Sequence, residues 1–123
     1  MLSQNPDVVV IALGANNGLR AMSIEALETD LRAIVAGVEE HGAHSLLLGI
    51  QAPPNLGTYA VKFEALYATL ANEVGIAFVP RFLDGVGGVH ELNLNDGIHP
   101  NVEGHKRLAA NITPKLRDVL SRL

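Results

Sequence analysis

Near the start of the chain, Asp7-Val8-Val9-Val10-Ile11-Ala12-Leu13-Gly14 is a short apolar run, rich in β-branched residues and closed by glycine. A run of this kind is the pattern of a strand buried on both faces, as in a parallel sheet covered by helices on each side. Two similar runs follow, Ser45 to Gly49 around Leu46-Leu47-Leu48, and Ile76-Ala77-Phe78-Val79-Pro80. Helical periodicity separates them. Ser23 reads as an N-cap with Glu25 in the first turn, and a helix from about Ile24 to His41 carries Leu27, Leu31, Ile34, Val35 and Val38 on one stripe before Gly42 stops it. A second helix, Tyr59 to Val74, turns Phe63, Leu66, Tyr67 and Leu70 inward and ends at Gly75, and a third runs from about Val102 to Leu120 with Asn101 as its N-cap. Asn16-Asn17-Gly18, Ala52 to Gly57 and Arg81 to Pro100 are read as loops. The alternation of strand and helix implies an α/β fold with a parallel sheet and right-handed crossovers.

Residues 1–123, with 48% hydrophobic content, suffice for a single domain. The net charge of −4, with Lys and Arg scattered, argues against a nucleic-acid partner. The absence of cysteine excludes disulfides and a thiol nucleophile. The longest apolar run, Val8 to Leu13, is too short for a membrane span, and Met1-Leu2-Ser3-Gln4 has no basic leader. As written, the chain is expected to be soluble and cytoplasmic; it would be periplasmic or secreted if an upstream segment carried an export signal.

Parallel α/β sheets place their chemistry at the carboxyl ends of the strands. Three loops leave those ends, carrying Asn16 and Asn17, then Asn55, then Asp96 and His99. In Asn95-Asp96-Gly97-Ile98-His99-Pro100-Asn101 a carboxylate and an imidazole stand three residues apart. A carboxylate that orients a histidine makes two-thirds of a hydrolytic triad. The nucleophile is the missing third. Ser3 and Ser45 fall at the wrong end of the sheet, Ser121 at the C-terminus, and Ser23 is accounted for as a cap.

Several polar residues have plainer explanations. Asp96-Gly97 alone is an ordinary turn, and Asn101 an ordinary cap. His41 and His44 flank a helix end, where a cation suits the dipole. His90 reads as a surface loop residue and His105 as a solvated or packing residue of the last helix, while Arg20 suits either a substrate head group or a helix end. No His or acidic pair falls at metal-ligand spacing in a supportive context, so neither metal nor cofactor is expected.

Gly14-Ala15-Asn16-Asn17-Gly18-Leu19-Arg20 resembles the third conserved block of the SGNH (GDSL-type) hydrolases, Gly-x-Asn-Asp, and Asp96-Gly97-Ile98-His99-Pro100-Asn101 resembles their fifth, Asp-x-x-His-Pro. Pro53-Pro54-Asn55-x-Gly57 followed by Tyr59 is similar to a loop of the multifunctional acyl-CoA thioesterase, lysophospholipase and arylesterase subfamily. The order and separation of the blocks suit that family over essentially the whole chain. The resemblance implies an ester or thioester hydrolase of the Ser-Asp-His type on a three-layer, flavodoxin-like α/β/α sandwich. It implies His99 as general base and acid, Asp96 as its orienting partner, and Asn16 as the oxyanion-hole donor. Leu19, Met22 and Pro54 would line an acyl-binding groove.

The family's Gly-Asp-Ser block and its second, oxyanion-glycine block have no counterpart in the sequence, and Asn17 stands where the family usually has Asp. The serine is therefore expected outside this chain, with the domain incomplete at its N-terminus and its first strands missing. In a sheet order resembling 2-1-3-4-5, the strand Asp7 to Leu13 would then be an apolar edge, inviting self-association or an N-terminal partner. Two other readings stay open: a non-catalytic remnant that binds acyl or small carbohydrate ligands, and an unrelated α/β binding domain.

Overall fold

The computed structural model describes residues 2–87, 89–95 and 99–123. Three parallel strands, β1 (Val8–Ile11), β2 (His44–Leu48) and β3 (Ala77–Val79), form one sheet in the order β1-β2-β3. Val8 stands opposite His44 and Ile11 opposite Leu47, while Leu46 faces Ala77 and Leu48 faces Val79. The helices are α1 (Ala15–Leu19), α2 (Ile24–Glu40), α3 (Thr58–Val74) and α4 (Val102–Ser121). The α/β class and the parallel sheet expected from the strand–helix alternation are what is observed.

Two successive crossovers in one direction put α2 and α3 side by side on one face of the sheet. Leu27, Leu31, Val35 and Val38 of α2 meet Phe63, Leu66, Tyr67 and Leu70 of α3 there, above Val9, Ile11 and Leu47. On the other face α4 lays Ile112 and Leu116 against Leu46, Leu48 and Val79. Sheet residues thus alternate between two cores, which makes the fold an α/β/α sandwich.

Local chemistry sets the helix limits. The Ser23 hydroxyl accepts the Ala26 N–H at 3.2 Å, a cap worth about 1 kcal/mol. Gly75 ends α3 in the left-handed region at φ 71°, and Asn101 caps α4 by accepting the Gly104 N–H at 2.9 Å. Pro114 stands inside α4, where its missing N–H leaves the Ala110 carbonyl to solvent on an exposed face.

Three expectations need correction. The first strand is not buried on both faces: α4 lies over β2 and β3 rather than β1, so Val8 is half-buried and Val10 is 39% exposed. Ile34, placed on the buried stripe of α2, is 38% exposed, because the contact with α3 is made by Leu31 and Val35 instead. Asn16-Asn17-Gly18 is not loop but the middle of α1, closed by a Gly18 N–H bond to the Gly14 carbonyl at 3.0 Å.

Candidate active site

Three segments leave the carboxyl ends of the strands, at 12–23, 49–57 and 80–101, and the topology gathers them on one rim. Gly14 opens the first with φ 117°, and a Cβ there would overlap the Tyr67 hydroxyl. That hydroxyl donates to the Leu13 carbonyl at 2.7 Å. Burial raises the Tyr67 pKa well above the usual phenol value, so the group remains a donor. Asn16 is carried by α1, and Leu19 is its last residue. A Cβ on Gly18 would press on the Phe63 ring and meet the Ala52 backbone, so glycine lets α1 lie directly against both α3 and the second segment.

The second and third segments are tied to each other. The Gly49 N–H donates to the Val79 carbonyl at 2.7 Å, and the Phe82 N–H donates to the Gly49 carbonyl at 3.2 Å. Arg81, in the left-handed region at φ 52°, donates from Nε to Glu64 at 2.8 Å.

His99 is held by its backbone. Its carbonyl accepts the Leu94 N–H at 2.8 Å, the Asn101 N–H donates to the Leu92 carbonyl at 2.9 Å, and Asn93 bridges antiparallel to Pro100. Asn93, buried, donates from Nδ2 to the Val86 and Val89 carbonyls at 2.8 and 2.7 Å. Asn101 Nδ2 donates to the Glu91 carbonyl at 2.8 Å. The turn holding His99 is therefore pinned on both sides, and its side chain is exposed on the rim, immediately before the α4 cap. Asp96 lies outside the described residues. Asn93, Tyr59 and Tyr67 escaped the sequence reading as organisers of the site; the signal available for Asn93 was an amide in a glycine-rich loop, which is common in turns.

Met22 and Pro54 are not brought into one groove. Met22 lines a depression with Ile24, Tyr59 and Lys62. Pro54 lines another with Gln51, Ala52, Val61, Glu64 and Arg81. A cavity of about 440 Å³ lies at the opposite rim, among Ala43, His44, Ser45 and Ala77 at the beginnings of the strands, and holds none of the candidate residues. Of the serines, Ser45 is buried in β2, Ser23 Oγ is engaged in capping, and Ser121 Oγ donates to the Asp118 carbonyl at 2.7 Å. Among the described residues, no group of three or more His, Cys, Asp or Glu side chains is placed to hold a metal ion, and no helix is long and apolar enough to cross a membrane.

Residues 1–107 match the GDSL-like Lipase/Acylhydrolase family. The chain belongs to this family. Among curated relatives, Esterase TesA of Pseudomonas aeruginosa is 41% identical over 121 residues, covering 98% of this chain and 60% of its own length. Thioesterase 1/protease 1/lysophospholipase L1 of Escherichia coli K12 is 32% identical over 117 residues, covering 94% of this chain and 56% of its own length. The crystal structure of TesA superposes with a TM-score of 0.89 at 42% identity, over 95% of this chain and 66% of that one. The esterase EstA from Pseudoalteromonas sp., inhibited by monoethylphosphonate, superposes at 0.87 with 28% identity, over 98% of this chain and 67% of that one. The GDSL-type chain thus spans a little over half the length of the curated relatives it matches.

Proposed function

We propose that this GDSL-type chain supplies the acid–base and oxyanion parts of an ester or thioester hydrolase. His99 takes the proton of a serine hydroxyl as its oxygen attacks the acyl carbonyl carbon, and returns that proton to the leaving alkoxide or thiolate as the C–O or C–S bond breaks. Water then cleaves the acyl-serine by the same route in reverse. Asp96 fixes the imidazole tautomer, and Asn16 donates to the developing oxyanion, where one such donor is worth about 2.7–4 kcal/mol of barrier. The serine comes from sequence outside these residues. No cofactor takes part in this scheme.

The observation that carries this reading is the shared rim: α1 with Asn16 and the pinned turn with His99 both lie beyond the carboxyl ends of the strands. The names of the relatives (esterase, arylesterase, thioesterase and lysophospholipase) support an acyl ester or thioester as substrate. Leu19, Met22 and Pro54 would contact its acyl part. Because Met22 and Pro54 line separate depressions, they would contact different portions of the substrate.

β1 is an edge strand of the three-stranded sheet. Its outer edge has no strand partner among the described residues, and Val10 is 39% exposed, so this edge takes a strand from a second copy or from an N-terminal partner.

The test is hydrolysis of p-nitrophenyl acetate and octanoate by the purified chain beside His99→Ala. Turnover lost in the variant supports His99 as the base and would show that the chain finds a nucleophile of its own or uses water. A folded but inactive chain that regains turnover when the missing serine segment is added supports the shared site. Inactivity in both settings overturns the hydrolase reading, and binding of octanoate without turnover would replace it with ligand binding.

A further inference from the structure

We propose that Tyr59 and Tyr67 are a two-point clamp on the segment 13–22, with Phe63 as the packing surface between them, and that this clamp positions Asn16; the catalytic part of the proposal rests on the oxyanion role given to Asn16 above. The three aromatic residues are spaced four apart on α3, so they lie along one face of that helix. Tyr67 donates to the Leu13 carbonyl at 2.7 Å, at the point where the segment leaves β1. Tyr59 donates to the Met22 carbonyl at 2.6 Å, where the segment turns toward α2, and the Asn17 carbonyl at 3.2 Å shares the same proton. Phe63 stacks on Tyr59 at 5.9 Å between ring centroids and meets Tyr67 edge-on at 5.6 Å, with Gly18 of α1 seated against it.

The segment between the two anchors cannot hold its own shape. Its helix has five residues, one of them glycine, and a helix that short is not stable by itself in water. It ends at Ala21, whose φ of 50° is unfavourable for a residue with a Cβ. The longer α3, 17 residues long and anchored by the buried face of Phe63, Leu66, Tyr67, Leu70 and Ala71, lends it rigidity from outside. An oxyanion donor lowers a barrier only if it is already in place when charge develops, so its support has to be stiffer than five residues of helix can be. Tyr59, half-buried and reaching only main-chain carbonyls of the segment, is a positioning residue; Tyr67 does the same work from within the core.

Tyr59→Phe removes the hydroxyl and leaves the ring stack, so the fold is retained and its unfolding midpoint reports that directly. Amide hydrogen exchange on the full chain is then read at Gly18, Ala21 and Met22, whose N–H groups donate to the carbonyls of Gly14, Gly18 and Asn17. The clamp predicts exchange about three- to tenfold faster at Ala21 and Met22, with α2 and β2 unchanged. Unchanged exchange at these two amides overturns the clamp. In the turnover assay, in the chain or in the chain with its serine segment, Asn16→Ala lowers kcat by about 10²–10³-fold. Tyr59→Phe lowers it by about tenfold at unchanged KM, and adds nothing when Asn16 is already alanine. Multiplied losses in the double variant overturn action through Asn16. Wild-type inactivity in both settings removes the hydrolase reading and the catalytic part of the clamp with it, while the exchange measurement still decides the structural part.

Discussion

Asn93 reaches the Val86 carbonyl with its side-chain amide at 2.8 Å, and both residues are buried in the loop that leads to His99. The same nitrogen donates to the Val89 carbonyl at 2.7 Å, so one carboxamide gives a second donor to two carbonyls that already accept the Val89 and Leu92 N–H groups. Replacing it with alanine removes one of two donors from each carbonyl, at a cost of about 0.5–1.5 kcal/mol per hydrogen bond lost. Asn93→Ala is therefore expected to lower stability in urea denaturation and to shift and broaden the His99 ring resonances. Asn93→Asp, which keeps the size but presents a carboxylate to two carbonyls, should be worse. Unchanged His99 resonances in both would mean the turn is held without Asn93.

The buried hydroxyl of Tyr67 gives a pH dependence with a definite sign. Burial raises its folded pKa above the ordinary phenol value of about 10, so the folded state holds this proton more tightly than the unfolded one. Its contribution is complete below pH 10 and is lost as the pH rises above that value toward the folded pKa. Stability should fall on the alkaline side, and Tyr67→Phe should flatten that limb. The variant should also be less stable at neutral pH by about 1–3 kcal/mol, because the Leu13 carbonyl loses its donor. Urea midpoints across a pH series check both expectations.

The strands, the long helices and their caps were legible because each rests on local chemistry: a β-branched run ended by Gly14, a hydroxyl at Ser23, an amide at Asn101, a glycine at Gly75. The features misread depend on residues distant in sequence. Ile34 belongs to the same periodic stripe as Leu31 and Val35, and only the placement of α3 decides which of the three is covered. Val10 is as apolar as Val9, yet one faces α2 and α3 while the other lies beside the reach of α4. For α1, Asn-Asn-Gly is turn chemistry, and the helix forms because Phe63 and Tyr59, some forty residues away, hold it. Asn16 and His99 stand out by motif; Tyr67 and Asn93 carry none and emerge from contacts alone, while Tyr59 closes a family-like loop whose motif gives no sign of its bonds to the Asn17 and Met22 carbonyls.

Gly104 offers a test in which helix propensity and packing predict opposite signs. An exposed Gly→Ala change inside a helix normally stabilises by about 0.8–1 kcal/mol. Here a Cβ would overlap the Leu92 carbonyl and crowd Pro100, the residues that anchor the turn around His99 to the start of α4. Gly104→Ala should therefore destabilise the chain by about 1–3 kcal/mol and lower any turnover that depends on His99. A raised thermal midpoint would show that α4 can shift away from Leu92 at little cost.

The edge of β1 gives the last prediction. Val10 faces the side of the sheet that α4 leaves open, and the strand's outer N–H and C=O groups have no strand partner among the described residues. A lysine at this position keeps its ammonium in water on the monomer, at a cost of about 1 kcal/mol or less in strand propensity. In a paired sheet the same ammonium would be placed against a second apolar surface, and desolvating it opposes association. Sedimentation velocity over a concentration series should show the wild-type chain associating and Val10→Lys remaining monomeric, with little change in its unfolding midpoint. A wild-type chain that stays monomeric throughout would overturn pairing with a second copy, and leave a strand from an N-terminal partner as the occupant to test by adding that segment.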